Sequence, residues 1–103
     1  MKNMTTTNEF QEVCAKVVGD IDAKYNITRD PHFSFTQFME EVGELAKEIN
    51  KPKLRNKEID RENLNGEFAD VILQLLTLAK MLDVNVGEAV ESKIKILKER
   101  HNL

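Results

Sequence analysis

Asn63-Leu64-Asn65-Gly66-Glu67-Phe68-Ala69-Asp70-Val71-Ile72-Leu73-Gln74-Leu75-Leu76-Thr77-Leu78-Ala79 carries the pattern that most constrains the architecture of this chain. From Val71 to Ala79 it is apolar nearly all round, interrupted by Gln74 and Thr77. A helix that is apolar on every side is buried among other elements. Yet Asn63, Glu67, Asp70 and Gln74 recur at steps of 4, 3 and 4, which puts them on one helical face. A polar seam therefore enters the helix that the rest of its sequence wants buried. Asp60 stands where an N-cap belongs, and the pattern predicts a helix over about 61–82.

On the N-terminal side lies Lys51 to Lys57, a basic connection containing Pro52. It reads as a solvated loop, with a loop that touches phosphate or a partner as the functional alternative. Before it, Phe35, Phe38, Val42, Leu45 and Ile49 alternate at helical spacing. This predicts a helix capped by Ser34 or Thr36 and closing near Asn50. Gln37, Glu41, Glu44 and Glu48 form a stripe just beside the apolar one, while Glu40 and Lys47 point further round. Asn26 to Pro31 carries turn chemistry. Earlier still, Phe10, Val13, Cys14, Val17, Val18 and Ile21 mark a helix over about 8–25, with Thr6 and Glu9 as a capping box.

On the C-terminal side, Asn85 and Glu88 form a second capping box and open a helix over about 86–100. Val86, Ala89, Val90, Ile94 and Leu97 are its apolar positions; Lys93, Lys95, Lys98 and Arg100 suit its C-terminal dipole. No segment has strand periodicity. The expectation is an all-α chain, one domain over 1–103, with four main helices forming a helical bundle. The 61–82 helix is too apolar for one small bundle to cover, so completion as a homodimer or homotetramer is expected.

Composition narrows the class. Hydrophobic residues make up 41% and charged residues 32%, which fits a globular helical chain rather than a disordered one. Net charge is −3, giving no general attraction to nucleic acid or to anionic membrane. No apolar run approaches the roughly 20 residues of a membrane span, and the N-terminus lacks a hydrophobic signal region. The single Cys14 excludes an internal disulfide framework and reads as a small buried hydrophobe. A cytoplasmic protein is the expectation.

The chemistry lies in the acidic residues. Glu41 and Glu44 border one apolar stripe; Glu67 and Asp70 enter the most apolar helix. Carboxylates gathered beside a core raise each other's pKa, and burial raises them further. Three resolutions exist: they face water, they pair with Lys or Arg, or a divalent cation neutralises them. An all-carboxylate set suits magnesium or manganese rather than zinc or copper. A di-iron bundle would want Glu-x-x-His pairs, and neither His32 nor His101 stands in one.

Glu40-Glu41-x-x-Glu44 followed by Glu67-x-x-Asp70 resembles the Glu-Glu-x-x-Glu … Glu-x-x-Asp pattern of the MazG-like all-α nucleoside triphosphate pyrophosphohydrolases. The resemblance extends over about 35–100, including Leu45-Ala46, Val71-Ile72 and the basic last helix. It implies a nucleoside triphosphate substrate cut at the α–β phosphoanhydride, giving monophosphate and pyrophosphate. It implies Mg2+, with Mn2+ as a substitute, held by Glu41, Glu44, Glu67 and Asp70. Glu40 would orient or deprotonate the attacking water. Lys93 and Arg100 fall where the family binds phosphate; their other reading is a solvated basic helix end. Leu97 stands where family members often carry Asn, a departure that bears on nucleotide contacts. Phe33, Phe35 and Phe38 offer a ring for base stacking, against which stands core packing for Phe35 and Phe38.

Two other functions fit the pattern. One is a non-catalytic helical interaction module, in which the stripes serve assembly. The other is a phosphoribosyl-ATP pyrophosphohydrolase-like enzyme of the same fold.

Overall fold

A computed structural model describes the backbone of residues 4–103 and the side chains of residues 8–103. Five helices follow in order: α1 (Met4–Lys24), α2 (Pro31–Ile49), the single turn α3 (Lys51–Leu54), α4 (Arg61–Met81) and α5 (Val86–Arg100). The fold is all-α, with four long helices forming a bundle and no strand among the described residues.

Local chemistry sets the helix ends. The Asp60 and Asn85 side chains accept from the backbone N–H of Asn63 and Glu88, capping α4 and α5 where the sequence indicated. At α2 the cap is Asp30, not Ser34 or Thr36. Asp30 Oδ1 accepts from the Phe33 N–H at 2.8 Å, and Pro31 opens the helix. Proline lacks only an N–H that the first turn leaves unpaired, and its fixed φ suits that position. Ser34 is buried inside α2 instead, and the Thr36 hydroxyl donates to the His32 carbonyl. Four ends turn through left-handed residues that tolerate that region: Asn26 (φ 56°), Asn56 (φ 53°), Asp83 (φ 59°) and Asn102 (φ 59°). The Lys51–Lys57 connection is partly helical, since α3 opens it. α1 begins at Met4, ahead of the start read from its stripe; the Thr6 side chain lies outside the described residues.

The helices α2 and α4 pack closely, α1 lies against α4, and α5 lies against α1. The inward side of α1 carries Gln11, Cys14, Val18 and Asp22, all buried. Burial pushes the Cys14 thiol above its ordinary pKa, as expected for an unreactive packing residue. The rest of the α1 apolar stripe faces outward: Phe10, Val13, Val17 and Ile21 are 46–61% exposed. Phe35, read as a core position of α2, is also exposed, and Phe68 and Ile72 on α4 are only partly covered.

The chain is open for its size. Its radius of gyration is 16.3 Å, against about 13 Å for a compact domain of this length. Its accessible surface is 7888 Å², where a compact monomer exposes about 5,900 Å².

Candidate metal centre

Along the contact of α2 with α4, the two polar stripes of the sequence meet. Gln37, Glu41, Glu44 and Glu48 ascend α2, while Gln74, Asp70, Glu67 and Asn63 descend α4. Gln37 and Gln74 share a partner at one end, and Glu48 bonds Asn63 at the other. The helices therefore run antiparallel, with the acidic residues between two polar links.

In the middle, carboxylate oxygens of Glu41, Glu67 and Asp70 lie within 4.8 Å of one another. Glu41 and Glu67 are half-buried and Asp70 is exposed. Burial first, and then the charges of Asp70, Glu67, Glu44 and Glu40, push the Glu41 carboxyl above its ordinary pKa. Glu67 Oε2 is buried and has no hydrogen-bond partner among the described residues. A buried carboxylate oxygen left unpaired is costly. A divalent cation relieves both the orphaned oxygen and the repulsion, and oxygen donors alone suit a hard cation. The residues present thus fit a divalent metal, as the sequence indicated. Glu44 and Glu40 are exposed and lie outside the group of three, although both charges reach Glu41.

At one end of the seam, Arg29 uses all five of its N–H donors. Its Nε donates to Asp22 Oδ2 at 2.6 Å and its Nη2 to Asp22 Oδ1 at 3.1 Å. Nη2 also reaches Gln37 Oε1 at 2.8 Å. Nη1 donates to Ser34 Oγ at 3.3 Å and to Gln74 Oε1 at 3.2 Å. The guanidinium lies over the Phe33 ring, 5.1 Å from its centroid. One side chain from the α1–α2 connection thus ties α1, α2 and α4 together. At the other end, Glu48 is 2% exposed. It accepts from the Asn63 amide, from the Asp60 backbone N–H at 3.0 Å and from Lys51 Nζ at 2.9 Å. Lys51 above all, and then Asn63, hold its carboxyl below the ordinary range despite burial.

Reading the sequence alone found the stripes but missed Arg29 and Asp22. The signal was present: Asp22 continues the buried positions Gln11, Cys14 and Val18 at helical spacing, and a charge on a buried face demands a partner. Lys93 and Arg100 are exposed on α5, which packs on α1 rather than on the α2–α4 pair that carries the carboxylates. Of the phenylalanines, Phe33 is taken up by Arg29, and Phe35 and Phe38 lie 6.3 Å apart in a tilted pair.

The fold and the seam define an all-α protein whose antiparallel helices gather carboxylates into a group with the donor chemistry to hold a divalent cation. The chain belongs to the MazG family: residues 29–103 match the MazG nucleotide pyrophosphohydrolase domain. The likeness read from the acidic motifs is thereby borne out, and membership assigns a hydrolase activity of the nucleotide pyrophosphohydrolase kind. The chain is also 30% identical over 89 residues to the uncharacterized protein YpjD of Bacillus subtilis (strain 168), covering 82% of this chain and 76% of that protein. No solved structure matches the chain significantly. Among the described residues, no helix is long and apolar enough to cross a membrane.

Proposed function

We propose that this protein is a magnesium-dependent nucleoside triphosphate pyrophosphohydrolase acting in nucleotide-pool clearance. Water adds to the α-phosphorus, the α–β bridging bond breaks, and nucleoside monophosphate and pyrophosphate leave. The observation that carries this reading is the convergence of Glu41, Glu67 and Asp70 around the unpartnered Glu67 oxygen, in a chain of the MazG family.

Glu41, Glu44, Glu67 and Asp70 would hold Mg2+, or Mn2+ in its place. When bound, the cation neutralises charge on the phosphates and lowers the pKa of water. Glu40, exposed beside the cluster, orients the attacking water and accepts its proton. Lys93 and Arg100 supply positive charge to the leaving phosphates. Because α5 packs on α1, these two residues approach an acidic cluster by way of a second copy of the chain. The open shape supports that assembly. The surplus surface of roughly 2,000 Å² exceeds the about 800 Å² per partner of a standard interface. A groove of about 370 Å³ lined by Phe10, Cys14, Phe68, Ala69, Ile72 and Leu73 supplies apolar surface for it.

The test is a panel of common and modified nucleoside triphosphates incubated with Mg2+ and the folded protein, with products separated. Monophosphate and pyrophosphate are expected. Diphosphate with inorganic phosphate, or no turnover of any nucleotide, overturns the proposal.

A further inference from the structure

Gln37, Gln74, Asn63 and Glu48 belong to the two polar stripes, yet none of them is needed as a metal ligand. Their placement is nonetheless regular. Gln37 stands one helical turn before Glu41, and Gln74 one turn after Asp70, so on antiparallel helices both mark the same end of the acidic cluster. Arg29 bridges them, at 2.8 Å and 3.2 Å. Asn63 stands one turn before Glu67, and Glu48 bonds it at the opposite end.

We infer that Arg29 is a positioning residue, which sets the separation of α2 and α4 so that their carboxylates converge on one cation; the role deepens the metal centre proposed above and rests on it. A guanidinium is a planar fork with fixed N–H directions, so acceptors on two helices must occupy set positions to use it. Asp22 fixes the plane of that fork with two bonds, and Phe33 lies against its face. Arg29 therefore does not follow a drift of either helix. Such a drift has a driving force, because without a cation the three carboxylates repel each other across the α2–α4 contact. The Glu48–Asn63 link opposes it from the other end. A Lys at position 29 would keep the charge near Asp22 and lose the fork.

The test measures binding of Mn2+ alone, by electron paramagnetic resonance, well below each protein's melting temperature. Gln37→Met and Gln74→Met each remove one acceptor and leave the Arg29–Asp22 pair in place; Arg29→Lys removes the fork. Val18→Ala, in the buried face of α1 and outside both polar stripes, is the control for lost stability. Each of the three seam variants is expected to weaken Mn2+ binding about tenfold, the lower end of what outlying partners cost in metal sites. Val18→Ala is expected to lower the melting temperature and leave Mn2+ affinity unchanged. Unaltered affinity in the folded seam variants, or an equal loss in Val18→Ala, overturns the positioning role while the metal centre stands. Absence of Mn2+ binding by the unmodified protein overturns the metal centre, and the role of Arg29 with it.

Discussion

Arg29 grips Asp22 through two bonds, from Nε and Nη2, with both side chains about nine-tenths covered. Removing one partner of a buried ion pair leaves the other charge uncompensated, at a cost of about 3–5 kcal/mol. Asp22→Asn is therefore expected to lose that much in urea unfolding, a large part of the roughly 5–15 kcal/mol that holds a small domain together. A loss under about 1 kcal/mol, the size of a surface pair, would show that water reaches the guanidinium.

Glu48 makes a pH prediction with a definite sign. Its folded pKa lies below the ordinary value of 4.5 because Lys51 and Asn63 favour the charged form. A depressed carboxylate contributes stability above its unfolded pKa, and that stability is lost as pH falls through the folded value. The ionisable group facing Glu48 is Lys51, and Asp60 presents its backbone N–H. Glu48→Gln is expected to be less stable than the unmodified protein at pH 7. The gap should narrow on acidification below about pH 4.5. A gap that stays constant from pH 7 to about pH 3 would remove the carboxylate charge from the account.

Much of this architecture was legible in the sequence because it follows from spacing. The steps between Asn63, Glu67, Asp70 and Gln74, and between Gln37, Glu41, Glu44 and Glu48, are enough to place both stripes. Short-range caps such as Asp60 and Asn85 were legible for the same reason. Arg29 was not, because its five partners lie on three helices and no local pattern reports a contact between positions 29 and 74. The outward facing of half of the α1 stripe was not legible for a related reason. Periodicity identifies an apolar side, but it does not distinguish burial within one chain from burial against another. Pro31 was read as a turn residue when Asp30 before it already made it a helix start.

At the acidic cluster, stability and metal binding are expected to move in opposite directions. Glu41→Gln and Asp70→Asn remove a charge that the neighbouring carboxylates repel. Without metal, each variant should melt at or above the temperature of the unmodified protein at pH 7. With Mg2+ at about a hundred times its Kd, the unmodified protein gains about 2.7 kcal/mol. In a domain of this size that is a rise of roughly 10 °C or more. Both variants should lose most of that rise, together with Mg2+-dependent turnover. Differential scanning calorimetry with and without Mg2+ checks the first part. An undiminished Mg2+ shift in either variant would take that residue out of the metal centre.

The exposed side of α1 makes the last prediction. Val13, Val17 and Ile21 are 61%, 46% and 51% exposed in the single chain. If this surface stays in water, Val17→Asp is an ordinary surface change, worth within about 0.5 kcal/mol. If a second copy covers it, as the surplus surface suggests, the same substitution buries a charge without a partner and separates the copies. Light scattering coupled to size exclusion should find the unmodified protein as a dimer or tetramer, and Val17→Asp at a lower mass with its helical circular dichroism retained. On the proposal that Lys93 and Arg100 of α5 serve the carboxylates of a neighbouring copy, the dissociated variant should also lose turnover. A monomeric unmodified protein that is fully active would overturn both halves of this prediction. It would then require α5 to reach Glu41, Glu67 and Asp70 within one chain.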